Sequence, residues 1–232
     1  MKKIIYLLLF MSSIVFSQND SLKKEKALIY FEFSGGLSNR LGEVETSNSN
    51  NPLINNYYKN LKKGANLDFS LYFQLKKESN SYFGLKYNFF TQNSGINGLY
   101  IVAPNGDEGY GELSNKTTIS FYGATYLYST KKVDKDIFNA EIGLGYIGYK
   151  DKAVFLEEYL IKGGSIGLYS SLSYQLYLGS GIYTGPKLGF LLGSLKKVTI
   201  NGPGSYYIDK DLGDKPESLS KIDFSLSIRI EL

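Results

Sequence analysis

The chain of 232 residues contains no cysteine, no histidine and no tryptophan, and only five prolines. Without cysteine there is no disulfide framework, no thiolate metal site and no thiol nucleophile. Without histidine, the triads and dyads that use imidazole as general base are excluded. After the N-terminus, no apolar run is long enough to form a membrane-spanning helix. A β-barrel gives only a weak hydropathy signal per strand, so this absence leaves barrels open. Charge of one sign is lacking too. Twenty-six basic and 22 acidic residues give a net +4, with lysines scattered or in turns, so no stripe suits nucleic acid.

What is present is aromatic and small: Tyr 21, Phe 14 and Gly 25. That composition reads as β-structure with tight turns and crowded inner faces. Met1-Lys2-Lys3, the apolar run Ile4 to Phe16 and then Ser17 have the layout of a secretory signal peptide. The expected organisation is a signal peptide over 1–17, a short periplasmic tail over 18–26 and one barrel domain over 27–232.

Eight segments alternate with a period of two, the repeat of a strand whose side chains point to opposite faces. Ala65, Leu67, Phe69, Leu71, Phe73 and Leu75 share one face, against Asn66, Asp68, Ser70, Tyr72 and Gln74. Ile222, Phe224, Leu226, Ile228, Ile230 and Leu232 oppose Asp223, Ser225, Ser227, Arg229 and Glu231. Phe31 and Phe33 oppose Glu32; Phe83 and Leu85 oppose Lys86; Ile142 and Leu144 oppose Glu141; Leu168 and Leu172 oppose Tyr169; Leu188 and Phe190 oppose Lys187. In the fourth segment, Ile119, Phe121 and Leu127 are expected on the apolar face, against Ser120, Tyr122 and Tyr126. Pro186 cannot donate to a ladder, so it weakens its strand or marks a bulge.

The connections alternate in length. Residues 76–80, 130–136 and 178–180 are short; 39–63, 93–114, 150–163 and 195–217 are long and polar. A transmembrane barrel has this rhythm, short periplasmic turns against longer outer loops. The polar face separates a membrane barrel from a soluble one. Facing bulk water it would be rich in charge, yet Gly, Ser, Asn and Tyr dominate it, which suits the narrow lumen of eight strands. The predicted fold is all-β, an eight-stranded antiparallel up-and-down transmembrane β-barrel with a filled polar lumen. Tyr82, Tyr128, Tyr146, Tyr149, Tyr174, Tyr177 and Tyr183 are expected to supply the interfacial girdle.

On this architecture and its last strand, residues 27–232 resemble the small eight-stranded outer-membrane barrels: the membrane domain of outer membrane protein A, outer membrane protein X, and the broad outer-membrane β-barrel family common in Bacteroidota. The resemblance implies location in the cell outer membrane, contact with its lipid, and delivery by the barrel-insertion machinery. In that group the machinery reads the alternating last strand, which here is Phe224, Leu226, Ile228, Ile230 and Leu232; the usual terminal residue is aromatic, and here it is Leu232. With the last strand expected to run to Leu232, no peptidoglycan-binding domain is expected after the barrel.

The inward ionisable residues are Glu32, Asp68, Lys86, Glu141, Lys187, Asp223, Arg229 and Glu231. Groups of both signs in a narrow lumen must pair or lose their charge. A structural salt-bridge network is the reading preferred over a gated pore or proton path, because buried pairs fix geometry. Asp107, Glu108 and Glu112 lie in a Gly-rich loop, and Asp209, Asp211 and Asp214 form a run that lacks the full spacing of a calcium loop; a solvated loop is the preferred reading. No cofactor, metal site or catalytic residue is expected. The function class is a non-enzymatic structural or loop-mediated binding or adhesion protein, with an extracellular ligand or protein at the long loops. A small-solute or ion channel, and a secreted soluble lipocalin-like barrel, are the alternatives.

Overall fold

The computed structural model describes residues 29–42, 52–76, 79–102, 108–130, 135–155, 157–213 and 216–232. The expected signal peptide and periplasmic tail lie outside the described residues. Eight long strands run β1 Ile29–Arg40, β2 Lys63–Gln74, β3 Ser81–Val102, β4 Glu108–Ser129, β5 Ile137–Phe155, β6 Glu157–Gly179, β7 Ile182–Leu192 and, after four short strands, β12 Lys221–Glu231. Each pairs antiparallel with its sequence neighbour, and β12 pairs with both β7 and β1, which closes the ring. Closure leaves no strand edge within the ring, the condition for a sheet to stand in lipid. The short strands are β8 Ser194–Leu195, β9 Lys197–Asn201, β10 Tyr207–Asp211 and β11 Glu217–Ser218. One helix, α1 Pro52–Asn60, lies between β1 and β2.

The ring is turned inside out relative to a soluble barrel. Leu67, Phe69, Leu226 and Ile228 are exposed over 49, 46, 61 and 45 % of their surfaces, while Asp68 and Arg229 keep 3 and 0 %. A belt of exposed Phe, Leu and Ile runs round the strands, from Phe138 to Leu144 on β5 and from Leu168 to Leu178 on β6. Apolar exposure on this scale is stable only against hydrocarbon. The last β6–β7 turn, Gly179-Ser180-Gly181, holds three successive positive φ angles (106, 50 and 76°), and glycine at two of them makes the tight reversal possible.

Three expectations need correction. On β4 the parity is reversed: Ile119, Phe121 and Leu127 are buried inside, and Tyr122, Tyr126 and Tyr128 face outward. Glycine explains this, since a Cβ on Gly123 would stand 2.4 Å from the Phe121 ring. Tyr82 and Tyr183 are buried in the lumen rather than in a girdle, Tyr177 packs against Tyr183 and Tyr149 against the apolar tier, whereas Tyr128, Tyr146 and Tyr174 do lie on the exposed exterior. Pro186 weakens its strand without a bulge, one of the two expected outcomes: the β6–β7 register is the same at Ser173–Lys187 and Leu176–Thr184, and the two pairs between them are missing. Finally, the described parts of 93–114 and 150–163 are strand, not irregular loop. There β3, β4, β5 and β6 continue to 22, 22, 19 and 23 residues, against 12, 12, 11 and 11 for β1, β2, β7 and β12. The segment 195–217 carries the β9–β10 hairpin, whose β9 pairs with β6, and 39–63 carries α1.

Candidate functional site: the filled lumen and the projecting sheet

Inward positions of the strands fill the lumen in tiers. Nearest the short turns, the Arg229 guanidinium lies 3.4 Å from the Tyr30 ring centre and 5.6 Å from those of Tyr82 and Tyr183. It also donates to Glu231 at 2.8 Å, and Tyr30 stacks on Tyr72 at 4.7 Å. A desolvated cation over aromatic faces is held by about 2 kcal/mol.

The next tier is ionic. Lys187 on β7 reaches Glu32 on β1 at 2.5 Å and Asp68 on β2 at 3.4 Å. Lys86 on β3 meets Asp68 at 2.9 Å and Glu141 on β5 at 3.1 Å. Hydroxyls complete the carboxylates: Tyr169 donates to Asp68 at 2.9 Å, and Tyr72 and Ser171 donate to Glu141 at 2.5 and 2.8 Å. These bonds run from β2 to β5 and β6, so opposite walls touch through their side chains. Above them Lys221 holds Asp223 at 2.5 Å, with Ser38 and Asn88 donating to the same carboxylate.

An apolar tier follows: Phe90, Ile119, Phe121, Ile147, Tyr169 and Leu191, closed by Leu195, Val198 and Leu219 from the outer connections. The mouth is polar again. Arg40 pairs with Glu217 at 2.6 Å. Asp151 accepts from Asn115 and Thr117 at 2.5 and 3.1 Å. Tyr57 of α1 bonds Asn115 through its hydroxyl, and Ser94 on β3 donates to the Tyr57 carbonyl at 3.0 Å, so the helix is tied across the opening. Burial, and next the nearby Asp151 charge, push the Tyr57 phenol up to about 12. Burial likewise raises the Asp151 carboxyl above its ordinary 3.8.

The structure thus gathers Glu32, Asp68, Lys86, Glu141 and Lys187 into one cluster, and places Asp223 above it and Arg229 with Glu231 below. Sequence reasoning missed Arg40, Lys221 and Asp151, each buried. Arg40 and Asp151 sat in stretches read as loop, and Lys221 one residue before the expected strand; extending the inward parity of Ser38, Tyr149 and Asp223 by two positions finds all three. On the outside, Phe224, Leu226 and Ile228 stand exposed on one face of β12, and Leu232 just past its end is exposed too. Of the acidic clusters, Asp107 and Asp214 lie outside the described residues. Asp209 is on β10, accepting from Thr199 at 2.8 Å, and Asp211 accepts from the Gly213 amide at 2.9 Å.

Beyond the ring, β3–β6 continue as an open sheet extended by β9 and β10. Among the described residues, β3 has no further strand partner on its β2 side past Thr91, and β10 pairs only with β9, so these two strands form the margins of the sheet. Aromatic groups crowd it: Tyr100 against Tyr110 at 5.7 Å, Tyr159 against Tyr206 at 6.1 Å, with Phe155 and Tyr207 exposed.

No protein-family model and no curated protein matches the sequence. Solved structures do match it. A major outer membrane protein from Thermus thermophilus aligns with TM-score 0.55 and 11 % identity over 90 % of this chain and 100 % of that one. Neisserial surface protein A aligns with TM-score 0.50 and 9 % identity over 90 % and 100 %. The outer membrane protease OmpT from Escherichia coli aligns with TM-score 0.50 and 9 % identity over 92 % and 99 %. At these identities the likeness is one of fold. Joined to the closed ring and its lipid-compatible exterior, it shows that this chain has the eight-stranded fold of the outer-membrane β-barrels.

Proposed function

We propose that this barrel is a non-enzymatic outer-membrane protein that works through the sheet it raises above the membrane, a docking surface for an extracellular protein or peptide. The asymmetry of the strands carries the reading. About ten extra residues on each of β3–β6 give a rise of roughly 30 Å along the strand at ~3.3 Å per residue. Such an extension serves neither lipid contact nor ring closure. Among the described residues β10 pairs with β9 alone, and such an outer edge presents N–H and C=O groups that an extended segment can pair with, while Tyr pairs add rigid anchoring area. The chain has no histidine for an imidazole-based hydrolytic site. A channel is disfavoured by the bonds that cross the lumen between β2, β5 and β6.

The test is adhesion of cells displaying the chain to immobilised extracellular proteins, alongside conductance of the purified barrel in planar bilayers. The displayed barrel should confer adhesion, and Tyr100→Ser/Tyr110→Ser with Tyr207→Ser/Ile208→Ser should abolish it, with no unitary conductance. Adhesion no greater than that of non-displaying cells, adhesion untouched by the four substitutions, or stable open-channel currents would overturn the proposal.

A further inference from the structure

On the outer wall, just above the apolar belt, β4, β5, β6 and β9 form a cleft of about 480 Å³. Its lower wall is Tyr122 and Tyr146; its upper rim is Thr118, Lys150, Lys162 and Thr199. These four rim residues are consecutive register partners across the sheet, Thr118 to Lys150, Lys150 to Lys162, and Lys162 to Thr199. Two lysines therefore stand directly opposite each other on neighbouring strands. One two-residue step higher the arrangement repeats, with Lys116 opposite Lys152. Like charges in directly opposed positions destabilise a sheet, and no ion pair neutralises any of the four lysines among the described residues. Asp209 faces this row across Thr199, with its carboxylate taken by the Thr199 and Tyr207 hydroxyls.

The cleft floor is also built. Tyr146 lies across Gly164, where a Cβ would come within 1.7 Å of the tyrosine oxygen. Glycine at this position is what allows the ring to fold flat and open the space beneath the lysines. Read upward along β5, the exterior passes from Leu144 through Tyr146 and Gly148 to Lys150, that is, from hydrocarbon-facing to aromatic to cationic over about 20 Å of strand. With the short turns on the periplasmic side, this height is the headgroup layer of the outer leaflet.

We propose that this cleft binds the phosphate group of an outer-leaflet glycolipid, with Lys150 and Lys162 as its two-sided clamp, Lys116 and Lys152 reinforcing it from above, and Tyr146 and Tyr122 against the first part of the acyl chains. Juxtamembrane lysines attract anionic headgroups, and a phosphate between two opposed ammonium groups turns a repulsive cross-strand pair into an attractive one.

The experiment uses the folded full chain in phosphatidylcholine nanodiscs containing bisphosphorylated lipid A or its dephosphorylated form, with bound lipid counted by native mass spectrometry. Inorganic phosphate is tested separately as a competitor. Wild-type protein should retain the phosphorylated lipid about tenfold or more over the dephosphorylated one. Lys150→Gln/Lys162→Gln should erase that preference while keeping the heat-modifiable gel mobility of a folded barrel, and Gly164→Ala should weaken it. Equal retention of the two lipids by wild-type protein overturns the proposal even if no variant folds. So does an unchanged preference in the double lysine variant, or displacement of the lipid by millimolar inorganic phosphate, which would mark a site for the free ion.

Discussion

Lys187 is the residue whose loss tests the lumen network most sharply. It and Lys86 are the two ammonium groups that serve three buried carboxylates, Glu32, Asp68 and Glu141. Asp68 and Glu141 keep Lys86 and tyrosine hydroxyls if Lys187 is removed. Glu32 would keep only the Gln175 amide at 3.1 Å among its side-chain hydrogen bonds. Stranding one charge of a buried pair costs about 3–5 kcal/mol. Lys187→Met should therefore destabilise the barrel by about that amount. In Glu32→Gln/Lys187→Met the stranded charge is gone as well, and most of the loss should be recovered, to within about 1–2 kcal/mol of wild type. Reversible urea unfolding in lipid vesicles, followed by tyrosine fluorescence and by gel mobility, measures both. A Lys187→Met midpoint equal to wild type would refute the reasoning, as would a double variant no more stable than the single one.

Four further outcomes follow from the same structure. Phe121→Ala should cost about 3–5 kcal/mol by hollowing the apolar tier, and Leu226→Arg about 2–4 kcal/mol by placing charge in mid-bilayer; vesicle unfolding curves report both, and a neutral Leu226→Arg would contradict a lipid-facing position. Asp151 has a carboxyl raised by burial, so its protonated form favours the folded mouth. That contribution is full below the ordinary 3.8 and is lost as pH rises through the raised value, so protection of the α1 backbone against hydrogen exchange should fall across this window in wild type and stay flat in Asp151→Asn. If the alternating end of β12 is what the insertion machinery reads, Ile230→Asn/Leu232→Asn should slow assembly several-fold and Leu232→Phe should not, measured as the rate at which heat-modifiable protein appears in membranes.

The lipid-facing half of the fold was legible because hydrocarbon imposes a strict rule: Leu67, Phe69, Leu226 and Ile228 admit no charged neighbours on their face. The inside obeys no such rule. On β4 a phenylalanine and an isoleucine fill the lumen because Gly123 leaves room, and tyrosine serves on either side of the wall, so pattern alone reversed that strand. The projecting parts of β3–β6 escape the pattern because their buried face is largely polar, as at Ser94 and Asp151, so apolar and polar residues do not alternate there. Asn93, Lys116 and Lys152 look the same there as they would in a turn. The pairing of Lys187 with Glu32, or Lys86 with Glu141, was out of reach for another reason. Sequence gives the face of a side chain, but its height in the lumen depends on the register between strands.

The double pairing of β12 has a consequence for biogenesis. Its partners at Tyr30 and Ile182 lie at opposite extremes of the sheet in chain order, and Tyr30 meets Glu231 almost the whole barrel later. Every other seam joins neighbours through a connecting segment, whereas this one encloses nearly the entire domain and carries the largest loop-closure entropy. Assembly thus has a natural last step: a curled, still-open ribbon must hold the exposed margins of β1 and β12 apart from other chains until they zip together.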